Sequence, residues 1–199
     1  MRKIRTTTFA ASFAAAFIPS IASAHTGIGD TAGFFHGFEH PVGGLDHVLA
    51  MVLVGIMAWQ AGGRALYAVP ASFVMLMAIG AGAGMAGMDV PFVELGIALS
   101  VVVFGLAVAF RVRAPILAMA PLVGLFAMFH GHAHGTEMPE TAAGLAYGLG
   151  FVAATALLHA AGLGLGFALA KTGERNGALV RIAGGAAAAA GVAILTGAF

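Results

Sequence analysis

The chain has 199 residues, of which 60% are hydrophobic and only 9% charged, and its formal charge is +1. Ordinary soluble domains carry about a quarter charged residues, so a water-exposed globule is excluded, and no nucleic-acid partner is expected. There is no cysteine, which excludes disulfides, thiolate metal sites and iron–sulfur clusters.

Arg2, Lys3 and Arg5 precede the apolar run "FAASFAAAFIPSIA" and then "ASA", with small residues at Ala22 and Ala24. A basic start, a short apolar core and small residues before the cut describe a secretory signal peptide over residues 1–24. The alternative is an uncleaved first helix, for which the run is short and broken by Pro19. Cleavage starts the mature chain at His25, outside the cytoplasm. The new terminus would offer an amine and an imidazole to one ion; a terminus without a role is the equal alternative.

The remaining residues, 25–199, read as a single all-α, polytopic membrane domain with six candidate spans, at about 42–61, 66–87, 91–110, 114–131, 142–169 and 180–198. Uncharged sequence after His47 runs only to Gly63. A span of about 20 residues must therefore begin near Val42 and draw Asp46 and His47 into the bilayer. Arg64, Arg111, Arg113, Lys171, Arg175 and Arg181 fall between spans 1–2, 3–4 and 5–6, whereas Asp30, Glu39, Asp89, Glu137 and Glu140 fall on the other side. The positive-inside rule makes the basic loops cytoplasmic and both mature termini periplasmic. Gly80 and Gly84, Gly144 and Gly148, and Gly162 and Gly166 are spaced for close helix packing. A faint echo of "FHGFEH" (35–40) in "FHGHAH" (129–134) is what two halves of inverted topology would leave.

Ionisable groups inside a bilayer are expensive and face a cavity or a partner. The candidates are His40, Asp46 and His47 on span 1, His130 and Glu137 around the end of span 4, and His159 on span 5. In ideal helices His40 and His47 share a face, as do His130, His134 and Glu137. Pro41 and the Gly43–Gly44 pair argue against an ideal helix at the start of span 1. Neutral imidazole with carboxylate suits Ni, Co, Zn or Cu(II). The rival reading is an Asp–His hydrogen bond that pins two helices; for His159 alone the two balance. "HGHAHG" is a His-rich tract of the kind that collects metal, and with His36 it is expected to capture ions at the outer face.

The stretch "HPVGGLDHVLAM" (40–51) resembles the His-Pro-x-x-Gly-x-Asp-His signature of the HupE/UreJ family of bacterial membrane proteins, and "FHGHAHGTE" (129–137) is similar to its second motif. The signal peptide, six spans and length fit as well, so the resemblance covers essentially the whole chain. It implies a secondary permease that moves nickel, or cobalt in some members, inward across the cytoplasmic membrane for hydrogenase or urease maturation. It implicates His40, Asp46, His47, His130 and Glu137, with His36, His132 and His134 less firmly part of the pattern. The ligand types leave zinc and copper open, and the ion is a substrate rather than a resident cofactor. "GFALAKTG" lacks the glycine that must precede the lysine of a phosphate-binding loop, so no nucleotide hydrolysis is expected. Two other classes are an intramembrane metal-dependent hydrolase with Glu137 or Asp46 as base and a bis-histidine haem subunit. The reading carried forward is a permease and not an enzyme, whose partners are a divalent ion and lipid, with a homo-oligomer left open.

Overall fold

The computed structural model describes residues 33–138, 144–171 and 177–198. The expected signal peptide, its cleavage site and His25 lie outside these residues. Seven helices follow in order: α1 (Phe34–Gly43), α2 (Leu45–Ala61), α3 (Ala65–Met85), α4 (Val93–Ala109), α5 (Ile116–Thr136), α6 (Gly144–Ala170) and α7 (Ala178–Leu195). No strand occurs among the described residues.

Helices α3, α5, α6 and α7 are each long and apolar enough to cross a membrane, and α1 with α2 makes a fifth if the bent pair counts as one span. Helix α4 is apolar but has 17 residues. The outside of the bundle is apolar too: Tyr67, Met75, Leu117, Leu145 and Ile182 are exposed. A helix that is apolar all round belongs in lipid or a large core, and this chain is too small for the second.

The helices associate as pairs, α3 with α5, α4 with α7, and α2 with α6, with α1 also lying along α6. Lipid supplies no hydrophobic drive between helices, so contact rests on close packing through small residues. Between α3 and α5 the device is reciprocal. Gly80 and Gly84 face the carbonyls of Met128 and His132, while Gly131 and Gly135 face those of Met77 and Ala81. Between α2 and α6, Gly55 meets the His159 carbonyl and Gly162 that of Val52. The expected Gly144–Gly148 seam does not form: nothing approaches Gly148, and Gly144 meets only the flexible end of Met138. The helix-facing residues of that stretch are Tyr147 and Gly150, set by the position of α1.

Two boundaries differ from the sequence reading. The first span is not one helix from Val42: it breaks at Gly44, and α1 and α2 meet at 87°. Helix α5 continues past residue 131 to Thr136, so the His-rich tract is helical and buried rather than an outer loop. Its imidazoles turn inward, and the backbone needs no exit there. At the opposite end, the Arg181 guanidinium donates from Nε to the Ala109 carbonyl at 3.1 Å, and the Arg111 side chain lies beside Gly177. The basic ends of α4 and α7 therefore sit together, far along the helices from the histidines.

Packing this close makes a sharp prediction. Gly131→Val should lower the thermal stability of the detergent-solubilised protein by the equivalent of ~1–3 kcal/mol, because its side chain would run into the Met77 carbonyl. Gly148→Val should leave the melting temperature unchanged.

Candidate metal centre

The bend at Gly44 builds the site. Its backbone is extended there (φ −96°, ψ 123°) and it stands at the start of α2. A Cβ at this position would lie 2.8 Å from Asp46 Oδ1 and 3.0 Å from His47 Nδ1, so only glycine leaves room for those side chains to fold back over the helix start. Asp46 Oδ1 accepts from the His47 backbone N–H and from the His47 ring Nδ1–H, each at 2.8 Å. A carboxylate in the first turn also complements the positive end of the helix. Because the ring donates through Nδ1, its Nε2 carries a lone pair, and that atom is buried with no hydrogen-bond partner.

Across the bend, His40 at the end of α1 shares a hydrogen bond of 2.9 Å between Nε2 and Oε2 of Glu137, which caps α5. His134, one turn back on α5, packs its ring 4.6 Å from His40, 4.3 Å from His47 and 4.2 Å from Phe151, centroid to centroid. Both of its ring nitrogens are buried without partners. One candidate ligand atom from each of His40, His134 and Glu137 falls within 4.8 Å of the others, a span that one cation can bridge.

The arrangement continues inward and outward from that triad. His130, a further turn down α5 and fully buried, stands 4.7 Å from His47, with its Nε2 2.9 Å from Ser100 Oγ. Phe73 of α3 then separates His130, at 5.7 Å, from His159 of α6, at 5.1 Å. Toward the surface, exposed His36 lies 6.4 Å from His40 and 5.7 Å from Tyr147. The order His36, His40, His134, His47, His130 thus forms a file of imidazoles from the surface into the bundle. His159 lies beyond an aromatic ring and borders a separate cavity of about 290 Å³ beside Leu66, Pro70 and Val74.

His132 is the exception in the tract. It occupies another face of α5, where its Nε2–H donates to the Met88 carbonyl at 2.6 Å. It is not brought together with His134, because alternate residues of a helix point to different sides, although its Nδ1 is also buried without a partner among the described residues. The expected shared face of His40 and His47 is also replaced: the bend intervenes, and α5 rather than their own helix brings them together. Tyr147, Phe73 and Ser100 border the file without having been singled out by sequence. Isolated aromatic and hydroxyl residues in apolar helices give no local signal, and only the helix pairing identifies them.

Burying a polar nitrogen without a partner costs free energy on the order of 1–3 kcal/mol. Among the described residues His47, His130, His132, His134 and His159 all carry such atoms. A divalent cation could supply the missing partner, since imidazole and carboxylate are ligands of borderline ions. Catalysis on an organic substrate has less to work with. The cavity of about 330 Å³ that His134 borders is lined largely by Met77, Met85, Met138, Leu145, Leu149 and Val152, which offer little to orient a polar substrate.

Comparison with known proteins places the chain in a family. Residues 13–194 match the family described as HupE / UreJ protein. The chain belongs to the HupE/UreJ family. A curated relative, Protein HupE of Rhizobium leguminosarum bv. viciae, is 47% identical over 184 residues, which is 92% of this chain and 95% of the relative. No solved structure shows a significant match. Membership covers both halves of the site, since the matched residues include every histidine from His36 to His159. The described residues of this HupE/UreJ member are all-helical, and its apolar helices suit a membrane.

The geometry separates the described histidines into five on the file, His159 beyond Phe73, and His132 on another face of α5. Isothermal titration of the purified protein with nickel(II) should show His134→Ala weakening binding ~10-fold or more, by analogy with the loss of supporting metal partners. His132→Ala should remain close to wild type.

Proposed function

We propose that this chain is a secondary permease that moves a divalent transition-metal ion, nickel first, inward across the bacterial cytoplasmic membrane to supply hydrogenase or urease maturation. The observation that carries the reading is the file of imidazoles from exposed His36 to buried His130, with ring separations of 6.4, 4.6, 4.3 and 4.7 Å. Each step is short enough for an ion to gain the next ligand before it loses the last. The kinetic requirement is that sites bind well enough to admit an ion and weakly enough to release it. Neutral imidazoles with few carboxylates meet it better than a closed cage of charged ligands. His159, beside its own cavity, is the receiving ligand on the far side of Phe73 in this scheme. His25 at a cleaved terminus remains a candidate for first capture.

The same reading takes six spans, with α1–α2 as one bent span and α4 as a short one. It places both mature termini in the periplasm and the loops carrying Arg64, Arg111, Arg113, Lys171, Arg175 and Arg181 in the cytoplasm, by the positive-inside rule. Family membership and the paired basic ends of α4 and α7 support it. The ion is cargo, and no resident cofactor is required.

Uptake of radioactive nickel by cells with and without the gene tests the activity, with cobalt and zinc as competitors. Asp46→Asn and His47→Ala should each reduce uptake at least ~10-fold at unchanged protein level in the membrane. Normal transport by either variant would remove the site from the pathway.

Topology has its own test, since the natural chain contains no cysteine. Thr136→Cys should react with a membrane-impermeant maleimide in intact spheroplasts, and Val112→Cys only after the membrane is opened. The reverse pattern would invert the direction of transport.

A further inference from the structure

Ser100 is the sole polar side chain among the residues that α4 buries. Its hydroxyl is fully enclosed, 2.6 Å from the Ile97 carbonyl oxygen and 2.9 Å from His130 Nε2. A serine hydroxyl has one hydrogen to give. The carbonyl has none, and two oxygens at 2.6 Å require a hydrogen between them. The Ser100 proton therefore lies on the Ile97 side. The His130 ring must then be the donor in the second bond, with its proton on Nε2. The opposite assignment would press the Ser100 and Ile97 oxygens together unshielded and leave a buried Nδ1–H with no acceptor, a state that costs free energy. In the favoured assignment the buried, unpartnered atom is the Nδ1 lone pair, which is what a metal ion takes.

We propose that Ser100 is a positioning residue that locks His130 in its Nε2–H tautomer, so that Nδ1 is held ready as a ligand beside His47. The inference rests on the permease reading for the identity of the ligand, and on the chain from Ile97 carbonyl to hydroxyl to imidazole for its geometry. His47 is held in the complementary form, because Asp46 takes its Nδ1–H and leaves Nε2 bare. The two neighbouring rings thus present opposite nitrogens, one fixed by a carboxylate and the other by a backbone carbonyl acting through a hydroxyl. Partners that fix the tautomer of a ligating imidazole are the usual support of histidine metal sites. Here the support costs no second charge in the membrane interior, where a carboxylate would be expensive.

The test reads the tautomer directly. Protein labelled with nitrogen-15 histidine, metal-free in detergent micelles, reports which ring nitrogen of His130 carries the proton, with the resonances identified by their loss in His130→Gln. The wild-type protein is expected to show the proton on Nε2; a proton on Nδ1 overturns the proposal whatever Ser100→Ala does. Ser100→Ala should yield a mixture of tautomers and nickel(II) binding ~10-fold weaker. Ser100→Thr should recover most of it, since a helical threonine makes the same bond back to a carbonyl. Unchanged nickel affinity in Ser100→Ala, in a wild-type background that binds nickel, overturns this inference and leaves the permease reading standing. A wild-type protein that binds no nickel, cobalt or zinc overturns the permease reading, and with it the ligand role given to Nδ1.

Discussion

The 87° bend at Gly44 is the constraint on which the metal centre depends. Without it, His40 and His47 would follow one another along a single axis, about 10 Å apart at the rise of an α-helix. With it, α1 and α2 approach α5 from different directions, and both imidazoles reach the His134 ring. The bend is eased by the glycine that occupies it and by the Asp46 carboxylate, which accepts from one early donor of α2, the His47 backbone N–H. Any side chain at residue 44 would compete with Asp46 and His47 for the same space. The break, the carboxylate and the oriented imidazole therefore form one device.

Around that device the bundle is almost free of charge. The inner histidines pack among Phe73 and Phe151, and the carboxylates beside them, Asp46 and Glu137, are placed at helix ends. A site of this kind binds by completing coordination rather than by accumulated negative charge. That suits an ion which must leave again, and it keeps the desolvation cost of the empty path moderate compared with a row of buried carboxylates. Membership of the HupE/UreJ family and 47% identity to a curated HupE extend over the residues that build this arrangement.

Much of this was legible in the sequence, for identifiable reasons. Composition fixes a membrane class because charge is what a water-facing surface needs, and the scarcity of charge forces Asp46 and His47 into the first apolar segment. The two motifs name most of the file, since histidine and carboxylate have few inexpensive uses in lipid. The bend was signalled only as a weakness at Pro41 and Gly43–Gly44; its angle follows from α1 packing on α6, which no local pattern encodes. The helical, inward course of residues 129–136 was missed because a His-rich tract with glycines looks the same in a loop as on a closely packed helix. His132 was grouped with its neighbours because spacing along the chain does not reveal which face a third helix will cover. Ser100 gave no signal, since its role exists only where α4 meets α5.

The echo between residues 35–40 and 129–134 acquires a physical meaning in the fold, whatever its origin. Gly37 and Gly131 each bring a helix against a neighbouring carbonyl, of Tyr147 and Met77 respectively, and the sixth residues of the two stretches, His40 and His134, come into ring contact. One stretch belongs to the group formed by α1, α2 and α6, and the other to the pair α3 and α5. His40, His47 and His159 stand on the first group, and His134, His130 and the intervening Phe73 on the second. From His40 inward, successive stations along the file therefore alternate between two separately glycine-fastened halves. A cation shared by His47 and His130 would add a link between the halves to the direct packing of α2 and α6 on α3. Under the permease proposal, occupancy and closure of the seam would be the same event, and the passenger itself would set how tightly the protein is shut behind it.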